Sequence, residues 1–69
     1  MNHTVSLQDK DSWITMAQFL FYADAMHYAR WLSETDMHGR NIRIETNDVA
    51  NTWFRNGIET ANWTKGGTV

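Results

Sequence analysis

The sequence predicts an α+β fold dominated by helix: one long central helix, a short second helix and one or two short strands. Three observations predict it. Residues 15–35 (TMAQFLFYADAMHYARWLSET) run without Gly or Pro and carry apolar side chains at helical spacing. Residues 47–58 carry a shorter apolar stripe of the same period. Residues 41–46 (NIRIET) alternate with period two, the pattern of a half-buried strand.

At the N-terminus, Thr4–Leu7 alternates and has two readings. It is either an edge strand with Val5 and Leu7 facing inward or, as chain ends often are, a disordered lead-in over residues 1–8. Residues 8–12 (QDKDS) form a polar turn. The central helix is expected to start at Thr15, whose hydroxyl can accept from a free first-turn N–H. Gln18 completes a capping box, and Ile14 with Phe19 forms a hydrophobic staple. Ala17, Phe21, Ala25, Tyr28, Ala29 and Leu32 fall on one apolar side, widened by Phe19, Tyr22 and Met26. The other side mixes Asp24, His27, Arg30 and Glu34 with Leu20 and Trp31. A helix apolar nearly all round is normally buried in something larger. That argues for a partner, a second copy included.

Residues 36–41 (DMHGRN) read as a loop around Gly39. After the 41–46 strand, residues 47–58 have two readings. In the preferred one, Thr46 or Asn47 caps a helix whose stripe is Val49, Ala50, Trp53 and Phe54, and Gly57 ends it in a left-handed conformation. In the other, Asn56-Gly57 is the two-residue turn of a hairpin. Residues 59–64 are a short strand or an irregular segment, and 65–69 are expected to be loose.

The chain has 69 residues, enough for a single small domain, residues 1–69, and a formal charge of −2. It has no cysteine, which excludes a disulfide framework and thiolate metal sites. The first residues lack the basic and apolar regions of a signal peptide, and no apolar run approaches the ~20 residues of a membrane span. A cytoplasmic protein is expected. Neither half is basic enough to mark a broad nucleic-acid footprint. Of four tryptophans, Trp13 and Trp53 are read as core, Trp31 is balanced between core and surface, and Trp63 is unassigned.

Little in the chain points to catalysis. There is no nucleophile elbow or phosphate-cradling glycine loop. Asp24 and His27 lie one turn apart, where such pairs are ordinarily surface contacts. Asp24, His27 and His38 are the one conceivable metal cluster, and solvated polar residues are the better reading of them. No metal and no cofactor is expected.

The expected function is therefore a small non-enzymatic protein-binding module. The general type is that of small inhibitors or regulators of phages and mobile elements, acting by occluding a macromolecular partner; this is an analogy of type with no family motif behind it. The partner is another protein or a second copy in a homodimer. Leu20, Asp24, His27, Arg30, Trp31 and Glu34 are the expected contact residues. The alternative is a small DNA-binding transcriptional regulator using a helix Asn47–Asn56. Asn47, Asn51 and Arg55 would then face bases, and Arg40 and Arg43 phosphates, because Asn and Arg pair bidentately with adenine and guanine.

Overall fold

Trp13, Ile14, Thr15 and Phe19 are residues that fit a pleated, half-buried surface, and they follow a turn at Asp9–Ser12. In the computed structural model, which describes residues 2–66, they are strand rather than helix. The elements run β1 (His3–Asp9), β2 (Ser12–Phe19), α1 (Tyr22–Thr35), β3 (Ile42–Thr46), β4 (Val49–Arg55), β5 (Ile58–Asn62) and the short α2 (Trp63–Gly66). The five strands form one antiparallel sheet in the order β2-β1-β3-β4-β5. The helix-dominated architecture is thus overturned: a sheet, with α1 across one face, is the body of the molecule.

The six-turn central helix divides at Leu20–Phe21. Its first part, Thr15–Phe19, belongs to β2, which pairs with β1 from Phe19 opposite His3 to Ser12 opposite Asp9, with Met16 as an extra, bulged residue. What remains, α1, has 14 residues from Tyr22, and Phe21 before it is the cap, with extended backbone and no side-chain hydrogen bond. The helix is one-sided after all. Ala25, Ala29 and Ser33, at i, i+4 and i+8, are buried against the sheet. The impression of an all-round apolar helix came from reading strand residues at helical period.

The second helix also does not form. Residues 49–55 are β4, and Asn56-Gly57 is the turn into β5. Asn47 and Asp48 have φ of 52° and 65°, and Asn56 and Gly57 have 53° and 80°. Positive φ at both central residues is what a type I′ turn requires, and its twist matches that of paired strands. Asn and Asp accept that conformation more readily than most residues. The residues read as helix cap and helix stop are therefore two hairpin turns.

In the interior, Val5 and Leu7 from β1, Ile42 and Ile44 from β3, and Phe54 from β4 alternate onto the face under Ala25 and Ala29. Phe19, Tyr22, Met26, Tyr28 and Leu32 pack around them. The alternation expected at Val5–Leu7 and Ile42–Ile44 is observed, but β1 is a central strand, not an edge. Of the segment expected to be loose, residues 67–69 lie outside the described residues. No helix among the described residues is long and apolar enough to cross a membrane.

Candidate functional site

Three features besides the apolar interior can carry function: the outer side of α1, a polar chain under its first turn, and the sheet face that α1 leaves open.

All six expected contact residues are exposed: Leu20, Asp24, His27, Arg30, Trp31 and Glu34. They do not form one patch. Leu20 precedes the helix, so the angular argument that set it beside Trp31 does not apply. Trp31 instead continues an aromatic line: its ring lies 5.8 Å from Tyr28, which lies 5.4 Å from Phe19 on β2. Arg30 and Glu34 lean the other way. The Arg30 guanidinium is 5.7 Å from the Phe54 ring, and Glu34 sits over Gly57 in the β4–β5 turn. Ile14 and Met16 on β2, with Phe21 beside Leu20, add exposed apolar surface that sequence reasoning did not assign to contact. Among the described residues β2 is moreover an edge strand, with no strand on its outer side.

Under the first turn of α1, buried and half-buried polar groups satisfy one another in series. Asn62 Nδ2 donates to the Tyr22 hydroxyl (3.3 Å), which donates to Thr52 Oγ1 (2.5 Å). Thr52 donates to Asn51 Oδ1 (2.7 Å), and Asn51 Nδ2 donates to Thr46 Oγ1 (2.8 Å). Thr46 in turn meets His3 Nδ1 at 2.8 Å. Such a chain removes the penalty of burying Thr52 and His3 and polarises each bond through the next. It also uses Asn51 as a structural link. With residues 49–55 in a strand, Asn51 does not stand on a recognition helix.

The open face displays β-strand residues of the opposite parity. The Arg43 guanidinium lies 4.0 Å from the Trp13 ring centre and bonds Glu45 Oε1 at 3.2 Å; its buried Nε has no acceptor, so the ring contact, not a full hydrogen-bond set, holds it. Trp53 pairs across from Arg43 and touches Trp63 of α2, ring centres 4.7 Å apart. Trp13 and Trp53 are half-buried on this face and belong to no part of the core, contrary to the sequence reading. The signal for this was available in β4, where Thr52 and Phe54 alternate with Trp53.

At one end of that face is a hollow of ≈ 280 Å³ lined by Gln8, Lys10, His38, Gly39, Arg40, Asn41 and Arg55. Asp36, its side chain only 4% exposed, accepts from the Arg40 backbone N–H (2.6 Å), Nε (3.1 Å) and Nη2 (2.7 Å). The Arg40 hydrogen bonds hold the Asp36 carboxyl below its ordinary value and, reciprocally, hold the guanidinium's proton more tightly. Arg40 Nη1 is also 4.0 Å from Asp9. Arg55 donates from Nε to the Gly39 carbonyl (3.0 Å). Lys10 and Arg55 have no ion-pair partner among the described residues. Of the residues proposed for the DNA reading, Arg40 and Arg55 converge here, Arg43 lies on the open face, and Asn47 lies at the other end in a second polar hollow with Asn2, Thr4, Gln18 and Asp48.

Asp24, His27 and His38 do not converge. Among the described residues no three His, Asp or Glu side chains come close enough to hold a metal ion. Compared with known proteins, the chain matches no family model, no curated protein and no solved structure.

Proposed function

We propose that the protein is a small binding module that docks onto another protein through the β2 side of α1, occluding part of that partner's surface. The observation that carries this is exposure: Trp31 is 56%, Leu20 71% and Phe21 69% exposed although each is large and apolar. Exposed apolar surface that gathers, as along the line Phe19–Tyr28–Trp31, is unusual unless a partner covers it. The line Phe19–Tyr28–Trp31, with Ile14 and Met16 on the adjoining edge strand, supplies an aromatic anchor bordered by aliphatic surface. Tryptophan is the residue type most often found as such an anchor. Asp24 and His27, exposed on the same helix, are the polar residues of its rim.

The test is photocrosslinking in the native host from a reactive residue placed at position 31, with the same probe at Thr15 as a control. A protein captured from position 31 and not from 15, and lost with Leu20→Ala, supports the docking surface. Equal capture from both positions, or none from 31, defeats it.

A further inference from the structure

We propose that the open face of the sheet is a second binding site, whose ligand is a single-stranded nucleic acid. The argument starts from register. Arg55, the last residue of β4, and Asn41, the residue just before β3, line the basic hollow, two residues along the chain from Trp53 and Arg43 respectively. Two strand residues span about 7 Å. Gln8, also in the hollow, pairs directly with Trp13. The hollow therefore opens straight onto the aromatic part of the face.

The two parts have complementary chemistry. In the hollow, Asp36 and Asp9 neutralise Arg40, which leaves Lys10 and Arg55 as cations without ion-pair partners, and exposed His38 beside them. Two cations that lack an ion-pair partner within one hollow suit a phosphate, with Arg55 held in place by its Nε bond to the Gly39 carbonyl. On the face, Trp53 with Trp63, and Trp13 under the Arg43 guanidinium, offer ring surface on which unpaired bases stack. Gln8 and Asn41 supply amide groups between the two parts, although they already bond one another at 2.9 Å. A duplex hides its base faces, so a flat face of this kind recognises single strands. Glu45, the acid on the same face, is paired with Arg43. With only two phosphate contacts, binding is modest, and log K falls with log salt at a slope of about −1.4. This site is on the opposite side of the sheet from α1 and is independent of the docking surface.

The experiment is tryptophan fluorescence titration with thymidine and uridine decanucleotides, with a blunt duplex and inorganic phosphate as further arms, at about 20 mM and about 200 mM salt. Quenching by the single strands, weaker at the higher salt and absent with duplex and phosphate, is expected. Trp53→Ala should weaken binding at least about fivefold, the lower end of one base-stacking contact. If that variant does not fold, by circular dichroism, Trp63→Ala and the surface pair Lys10→Glu with Arg55→Glu take its place, with a similar loss expected. No quenching at the lower salt overturns the proposal. So does equal binding of duplex or of phosphate alone, or affinity unchanged in the folded variants.

Discussion

The hydroxyl of Ser33, in the last part of α1, accepts the backbone N–H of Gly57 at 2.8 Å. The same hydroxyl donates to the Arg30 carbonyl at 3.0 Å. A fully buried side chain thus ties the helix to the β4–β5 turn, and a turn amide that faces the helix finds its acceptor there. Replacing Ser33 by Ala strands that N–H, and an unsatisfied buried donor costs about 1–3 kcal/mol. Urea denaturation of Ser33→Ala should show a loss in that range with an unchanged slope. A loss within error would show that water replaces the hydroxyl.

Gly57 itself carries a second constraint. Its φ is 80°, and a Cβ there would lie 2.4 Å from Glu34 Cγ. Gly57→Ala should cost about 1–2 kcal/mol from the left-handed backbone alone, and more while Glu34 is present. In the background Glu34→Ala, the additional part should disappear and the backbone part remain. Equal losses in both backgrounds would mean that the Glu34 side chain swings aside freely.

The polar series from Asn62 to His3 predicts non-additivity. Thr52→Val leaves both the Tyr22 hydroxyl and Asn51 Oδ1 short of a partner, at about 1–3 kcal/mol. Tyr22→Phe alone removes one modest bond. Combined, the two should cost less than their sum, because the second change removes one of the groups the first had orphaned. A thermal-denaturation double-mutant cycle reads the coupling directly; simple additivity would show that the links act separately.

Asp36 sets an acid limit on stability. Its pKa is lower folded than unfolded, first because of the hydrogen bonds from the Arg40 side chain. Below the ordinary carboxylate value near 4 the unfolded chain takes up a proton more readily than the folded one. The stabilisation is therefore complete above that value and is lost as pH falls toward the folded pKa. Asp36→Asn should have a lower Tm than wild type at neutral pH, and the difference should narrow below about pH 4. A difference constant with pH would show that the pair contributes through shape and not charge.

The sequence made the inner residues of β1 and β3 legible because Val5–Leu7 and Ile42–Ile44 alternate with little else in competition. It misled in the two places where apolar residues run together. In Trp13–Phe21 the strand, its bulge at Met16 and the junction at Leu20–Phe21 together imitate a helical stripe. In Val49–Phe54 the bulge at Asn51 likewise breaks the alternation. There the decisive signal is Asn56-Gly57, which turn chemistry favours strongly and which the helical stripe masks. The exposure of Trp31 was foreseen as one of two options. The open-face set of Trp13, Trp53, Trp63 and Lys10 was not, because it comes together only once five strands are in register.

Because β1 is flanked by β2 and β3, the seven residues His3–Asp9 are the keystone of the assembly and not its fringe. Trimming them would sever a lone ribbon from a three-stranded remainder and strip Val5 and Leu7 from beneath the helix. A cut within His3–Asp9 should therefore be read as loss of the whole fold.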